Sequence, residues 1–482
     1  MQRVTVLNMH YLRFCRWHFH WDTEAPKIFF SYEYQTLNLH DKRLNERART
    51  IFVRLQEKLG SCIRRLFIEP KDARQAYDFF SNPKVTGCKL IEPHYQETVK
   101  RINSTDSKYI LAIQDQMRLN FTNHYAKTQL GRIGKSQKTD QYGLVQHSVL
   151  CVTDKNEPLG LIDVKIFDFD EFDTTINNRN RCLKDKASCR WLEALNNVRN
   201  RIGDSHNRII TVADRESDFY EFMRSLVINN EEFVIRSKFN RYTGNKHRSQ
   251  GEKSWDKVDR SPIRGQIETK IQDPKSREVK TIALNIKAEE VLLPPVYKSK
   301  DAKIERAEYL PIKVNMVKVY NEEYEWYLAT NLPIDSLSQI EEVVKIYKSR
   351  WHIEDYFKVL KTGYQVDEIY LHSSKQAIEN LLIMASVSAC RLYWIIYTGR
   401  NKDCIMADHL FESFEWKALY VYFGEKIPEE CPRLSDILLK IARMGGYKPT
   451  SKNAPPGTKT MWHGFQQFII VTQMYRNMSR KT

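Results

Sequence analysis

The chain carries two kinds of hydrophobic patterning. From residue 36 to about 90, apolar side chains recur at helical spacing. "LNLHDKRLNERARTIFVRLQEKL" predicts a long helix, and "PKDARQAYDFFSNPKV" a shorter one closed by Asn82-Pro83. After about residue 105 short apolar runs take over. "YILAIQD" and "RIITVAD" each end in an aspartate and predict buried strands, as does "EEFVIRSKF". "GLVQHSVLCVTDKNEPLGLIDVKIF" predicts a hairpin turning at Asp154-Lys155-Asn156. Residues 241–340 hold β-rich pieces between charged loops, such as "TIALNIKAEEVLL" and "EWYLATNLP". The rest is mostly helical, with a loop at "KPTSKNAPPGTK". Residues 1–25 are aromatic and basic without a clear period and read as an extension.

One helical stretch, "IYKSRWHIEDYFKVLK" (346–361), carries a second pattern. Tyr347, Arg350, Glu354 and Lys361 follow one another at steps of 3, 4 and 7. At about 100° per residue they fall in a stripe roughly 60° wide. Beside it Ile353, Phe357, Leu360 and Tyr364 form an apolar stripe that should face the core. The polar residues therefore sit at the edge of the buried surface. Spacing alone is equally explained by an exposed helix with Arg–Glu and Glu–Lys pairs.

Composition narrows the class. A chain of 482 residues has room for two to four domains, and 41% apolar with 12% aromatic residues excludes a disordered chain. Lys and Arg outnumber Asp and Glu by 76 to 60, a formal charge of +16 that favours a polyanionic partner, nucleic acid being the commonest. The nine cysteines are scattered, with no Cys-x-x-Cys and no Cys/His group at zinc-ligand spacing. Cys182 and Cys189, the closest pair, read as incidental, and a reduced, cytoplasmic setting is expected. The N-terminus has no apolar run resembling a secretion signal. "LLIMASVSACRLYWIIY" (381–397), broken by Arg391, reads as a buried helix rather than a membrane span.

Asp115 and Asp214 each close an apolar strand, where a sheet can hold a carboxylate open to solvent. Each could equally begin a turn, and Asp214 could cap the helix of "RESDFYEFM". Glu354 adds a third carboxylate from a third element. Two hard divalent cations require oxygen donors of this kind on a rigid scaffold.

The motifs "ILAIQD", "VADRESDFYEF", "EFVIRSK" and Tyr347-x2-Arg350-x3-Glu354-x6-Lys361 resemble the DDE transposases of bacterial insertion sequences. They match the cut-and-paste, hairpin-forming group with the Tyr-Arg-Glu-Lys pattern, the insertion-sequence-four group. The likeness runs in order over residues 36–470 and takes in "LNLHDKRLNER", "AYDFFSNPKV", "GLVQHSVL", "ARMGGYKP" and "PPGTKTMWHGF". It implies an α/β fold, a ribonuclease-H-like catalytic core with a β-rich insertion at about 241–340. The core would span 91–398, between a helical DNA-end-binding domain (26–90) and a helical dimerisation domain (399–482).

Carried over by position, Asp115, Asp214 and Glu354 would be the catalytic metal ligands for two Mg²⁺, or Mn²⁺, ions. Tyr347, Arg350 and Lys361 would contact DNA phosphates, with Arg236 beside them. Trp326 would stack a flipped base, and Arg43 and Arg47 would read the end sequence. Two positions depart from the family. Gln116-Met117 replace small hydroxyl residues after Asp115, and Asp78 stands where Arg is common.

The implied activity is excision of a DNA element through a hairpin intermediate and joining of its 3′ ends to target DNA. The partners would be double-stranded DNA (inverted-repeat ends and target) and a second copy of the chain, with no membrane, in the bacterial cytoplasm or nucleoid. The alternatives are an end-binding protein without catalysis and a nuclease that cuts without joining.

Overall fold

The structure, a computed structural model, describes residues 33–479 apart from 58–62, 68, 124–129, 137–138, 169–185, 187, 204, 206, 245–250, 273–278, 296–308, 367–373, 402–403 and 449–454. The expected N-terminal extension, Cys62, Cys182 and half of the "KPTSKNAPPGTK" loop (449–454) lie outside these residues.

Three main helices open the chain: α1 (Lys42–Glu57), α2 (Pro70–Phe80) and α3 (Gly87–Ser104). The predicted strands follow as β1 (Ile110–Asn120), β3 (Thr139–Thr153) and β4 (Pro158–Phe167), with an unpredicted short strand, β2 (Arg132–Ser136), between the first two. The β3–β4 hairpin turns where expected, with Asn156 in the left-handed region at φ 66°. Next come α4 (Cys189–Ile202), β5 (Ile209–Ala213), α5 (Tyr220–Ile228), β6 (Glu232–Arg236) and α6 (Ser254–Arg260). Four more strands are β7 (Gly265–Gln272), β8 (Val279–Leu293), β9 (Ile312–Tyr320) and β10 (Glu325–Thr330). The helical remainder comprises α7 (Leu337–Lys348), α8 (Trp351–Lys358), α9 (Lys375–Asn401), α10 (Ser413–Tyr422), α11 (Leu434–Met444) and α12 (Thr458–Ser479).

All ten strands form one mixed sheet in the order β2-β3-β1-β5-β6-β10-β9-β8-β7, with β4 also pairing β3. β1, β5 and β6 are mutually parallel, while β3 runs antiparallel to β1 and β4. The β-rich segment is no separate layer. β10 pairs with β6, so this segment continues the central sheet.

Alternation along β1 explains why helices cover both faces. Leu111 and Ile113 join the large core that includes residues of α7, α8 and α9; Ile110 and Ala112 join a second core with Ala194, Val198 and Ile202 of α4. Helix α9, long and apolar enough to cross a membrane, is largely buried inside the fold, as the sequence predicted. Its Arg391 meets Glu33, a buried carboxylate that also pairs with Arg101 and His94. The polar break in the apolar run is thus a partner for an internal charge.

The C-terminal helices meet through glycine. A Cβ on Gly464 of α12 would sit 1.9 Å from the Ile441 carbonyl oxygen of α11, and one on Gly445 would sit 2.0 Å from the Thr460 oxygen. "MGGYKP" and "WHGF" therefore mark a close backbone crossing. Gly464→Ala should force the two helices apart and destabilise this unit by at least about 1–3 kcal/mol. Faster limited proteolysis between residues 434 and 479 would register the loss, and an unchanged digestion pattern would count against it.

Candidate active site

The opening strands carry the first two carboxylates to neighbouring positions. Asp115 lies inside β1 rather than at its end, because β1 runs on to Asn120 paired with β3. What ends beside Asp115 is the pairing with β5: Gln114 opposite Ala213 is the last parallel pair. Asp115 and Asp214 are the next residues along on adjacent strands, whose axes lie about 4.8 Å apart. Asp214 is also a cap, though not of the helix Tyr220–Ile228, whose N-cap is Phe219. It caps the 3₁₀ turn Arg215–Ser217, accepting the Glu216 N–H at 2.8 Å with one oxygen.

Glu354 arrives from α8, which packs on β1 and β3. The 346–361 stretch is not one uniform helix. α7 stops at Lys348, and a tight turn follows in which Arg350 N–H bonds Tyr347 O at 3.0 Å and Ile353 N–H bonds Arg350 O at 3.2 Å. The Ser349 hydroxyl donates back to the Lys345 carbonyl at 3.2 Å, a local back-bond of the kind that bends helices. α8 then ends in a widened π turn, Val359–Gly363, which contains Lys361. The four polar residues are thus spread over α7, a tight turn, α8 and a π turn, so a single uniform helix is not their scaffold. The apolar stripe holds: Ile353, Phe357, Leu360 and Tyr364 are all buried.

At the centre of the site is Arg350. Its guanidinium donates to Asp115 Oδ2 at 2.9 Å with one nitrogen and to Glu354 Oε1 with another. Arg350 thus forms an ion-pair bridge between two of the three carboxylates. Burial and the neighbouring Asp214 push the Asp115 carboxyl up to about 7, against the pull of Arg350 and the Gln116 N–H. Burial likewise raises Asp214, opposed by its Glu216 N–H bond. Burial alone would weaken the Arg350 charge, but Tyr347, Asp115 and Glu354 more than offset it. Arg350 pairs with Asp115 and Glu354 and acts on Asp214 only through space, where Arg215 also pulls that carboxyl down. Among the described residues, no three His, Cys, Asp or Glu side chains are gathered closely enough to hold a metal as they stand.

Other predicted residues divide into two groups. Tyr347 is buried beside Arg350, its hydroxyl lacking a well-formed hydrogen bond, and Trp326 sits half-buried with its ring 6.3 Å from that of Tyr347. Arg236 closes β6 and acts on the Tyr347 phenol. These join the cluster. Lys361, half-buried in the π turn, makes no ion pair among the described residues. Arg43 and Arg47 lie on α1, whose main packing partners are α2, α9 and the 3₁₀ turn Glu33–Thr36, none of which carries a carboxylate of the cluster. Arg43 is exposed, and Arg47 lies 3.7 Å from Asp72.

Two features escaped the sequence reading. Gln116, noted there only as a departure from the family, donates its backbone N–H to Asp115 Oδ1 at 2.8 Å, and its side chain reaches Glu216. It ties the two aspartate segments together. Trp351, next to Arg350, is 58% exposed. Its position, two residues or about 200° from Ile353, put it opposite the apolar stripe and was a signal available in the sequence.

Comparison with known proteins agrees with this organisation. A transposase DNA-binding model matches residues 27–85, a transposase DDE domain matches 184–390, and a transposase Tn5 dimerisation domain matches 387–480. The chain carries the three domains of a DDE transposase. Asp214 and Glu354 fall inside the DDE match, and Asp115 lies before it. DNA binding and dimer formation are supported by the same matches. A cryo-EM structure of the piggyBac transposase synaptic complex with hairpin DNA is similar at 10% identity and TM-score 0.34, covering 94% of this transposase and 72% of that chain. A likeness that distant adds nothing to the assignment.

Proposed function

We propose that this transposase belongs to the hairpin-forming, Tyr-Arg-Glu-Lys group and excises and reinserts a DNA element with Asp115, Asp214 and Glu354 at the catalytic centre. The observation that supports the reading is that Asp115 and Glu354, from elements far apart in sequence, meet on one guanidinium, while Asp214, the next residue along on the neighbouring strand, raises the Asp115 carboxyl electrostatically. The mixed sheet flanked by helices supports the ribonuclease-H-like core that the resemblance implies.

The donor chemistry suits hard divalent cations, carboxylate oxygens from three elements in a partly buried site, and Glu354 would have to leave Arg350 and draw in beside the two aspartates to share an ion with them. Bound Mg²⁺, held by Asp115, Asp214 and Glu354, would supply an activated water and neutralise charge at the phosphorus. The chain's own residues do the rest. Gln116 and Glu216 hold the two aspartate segments in register through their mutual hydrogen bond. Arg350 leaves its carboxylate bridge and offers a planar fork to phosphate oxygens. Tyr347 and Arg236 stand beside it for the adjacent phosphate, and Trp326 or Trp351 offers a ring to an unpaired base. In-line displacement then serves each step: strand hydrolysis, attack of the freed 3′ hydroxyl to close a hairpin, reopening, and attack on target DNA.

A second reading has one observation in its favour. Arg350 as a bridge holds the carboxylates in an ion-paired arrangement, which suits an end-binding protein without catalysis. Incubation with Mg²⁺ and DNA bearing the element's own ends separates the readings. Excision with hairpin intermediates supports the proposal, binding without cutting supports the second reading, and cutting without joining indicates a nuclease.

Two copies of the chain would pair two DNA ends. Ile470, Met474 and Met478 recur at i, i+4 and i+8 on α12 and all are exposed, Met474 at 60%. This stripe lies in the dimerisation match. Met474→Glu should weaken self-association on end DNA by about tenfold or more, read by sedimentation; an unchanged dimer would remove this face from the interface.

A further inference from the structure

Beyond β6 the chain forms a short strap whose shape is imposed by one buried carboxylate. Asp218 is four residues past Asp214 and almost wholly buried. Its Oδ2 accepts the Lys238 N–H at 2.5 Å and the Phe239 N–H at 3.0 Å, and its Oδ1 accepts from Arg241 at 2.6 Å. The other side is pinned too: Trp255 Nε1–H donates to Ser237 at 3.0 Å, and Asn240 bonds the Trp255 N–H at 2.9 Å. A buried charge holding this many donors fixes the backbone of the loop.

That rigid strap presents two aromatic rings to solvent. Phe239 is 51% exposed and Tyr242 is 40% exposed. Lys238 and Arg241 hold their charges 5.5 and 5.2 Å from the Phe239 ring, and Lys253 lies 5.5 Å from that of Tyr242. A flat apolar ring between cations, on a chain of net charge +16, matches a ligand with flat rings and repeated negative charge. The strap begins two residues after Arg236 and is tied to the turn that carries Asp214.

We infer that residues 238–242 form a nucleic-acid-gripping strap in which the Phe239 ring stacks on an unpaired base and Asp218 is its positioning residue. The inference rests on the proposed DNA-processing function and adds a contact that this function does not require. Phe239 supplies stacking area, Lys238 meets a flanking phosphate, Arg241 stays on Asp218 beneath the ring, and Asp218 sets the distance between this grip and the Asp214 turn.

The test uses the full chain in EDTA, so that catalysis plays no part, and a single-stranded oligonucleotide of about 15 residues containing 2-aminopurine. Wild type and Phe239→Trp should bind it and quench the 2-aminopurine emission. Phe239→Ala should bind roughly 5- to 150-fold more weakly, the range for losing one stacked base, and should lose the quench while melting as wild type does. Asp218→Asn should lose the quench amplitude at saturating protein, a signature that general weakening would not produce. Unchanged affinity and quench in Phe239→Ala, with wild type binding normally, would overturn the strap alone. No binding by wild type to this oligonucleotide or to end DNA would overturn the DNA-processing reading with it. Lost self-association with unchanged DNA affinity in Phe239→Ala would identify a protein contact and overturn the proposal.

Discussion

Glu354→Gln should abolish strand cleavage and leave end binding intact. The substitution keeps the volume of the side chain and removes its charge, so α8 should keep its packing on β1 and β3. In the present state the change removes one arm of the Arg350 bridge, leaving the Asp115 arm at 2.9 Å. Glu354 is only partly buried, and its pair with Arg350 is an i, i+4 contact, so stability should shift by less than about 1 kcal/mol. Catalysis is different, because on the proposed reading Glu354 is one of three oxygen donors for the metal. Removing one should forfeit several kcal/mol of charge stabilisation at phosphorus, or about a thousandfold or more in rate. End-DNA affinity should stay within a few-fold of wild type. Gel analysis of cleavage and a binding titration on the same preparation decide it. If the variant still nicks DNA at near wild-type rate, Glu354 is not a ligand; if binding falls in parallel with cleavage, its role is in gripping DNA.

How far the sequence could be read depended on whether the determining contacts were local. Strand and helix identities were legible because periodicity is local: "YILAIQD", "RIITVAD" and "EEFVIRSKF" became β1, β5 and β6, and the apolar stripe of 353–364 is buried. The extent of β1 was not legible. Its continuation to Asn120 depends on pairing with β3 residues some 25 positions later, and nothing inside "QDQMRLN" announces it. The continuity of the β-rich segment with the main sheet likewise rests on three pairings between β10 and β6, nearly a hundred residues apart. The turn at Ser349 was missed for a different reason. A helix that tightens from i−4 to i−3 bonding keeps right-handed dihedrals, so its hydrophobic pattern barely changes.

The site divides along the same line. Asp115, Asp214 and Glu354 stand on elements that the pattern placed, but the meeting of Asp115 and Glu354 at Arg350 is a tertiary fact. Arg350 looked like a DNA-facing cation because spacing cannot tell a cation aimed at phosphate from one aimed at carboxylates. Those two roles are compatible in sequence, since a guanidinium between carboxylates is free to exchange partners when a stronger cation and a phosphate arrive together.

Glu33→Gln should produce the largest loss of stability in the chain, about 3–5 kcal/mol. Glu33 opens the described residues and is buried among Arg101, Arg391 and His94, at 2.5, 3.1 and 2.8 Å. These partners come from α3 and α9, and the far nitrogen of His94 accepts the Leu161 N–H of β4 at 2.9 Å. One carboxylate therefore knits the first helical unit to the sheet and to the long buried helix. Burial opposes its ionisation, but Arg391, His94 and Arg101 outweigh that and hold the carboxyl well below its usual value of 4.5. Gln keeps a hydrogen-bonding tip but removes the buried charge that Arg101 and Arg391 share, and breaking one partner out of such a cluster is expensive. Denaturant unfolding should give a lower midpoint with an unchanged slope. The sign of the pH dependence follows from the depressed folded pKa. The carboxylate's contribution is fully present above about 4.5 and is lost as pH falls through the folded value, so the gap between wild type and variant should be constant at neutral pH and close in acid. A variant as stable as wild type at pH 7, or a gap that widens on acidification, would contradict a charged Glu33 as the link between these elements.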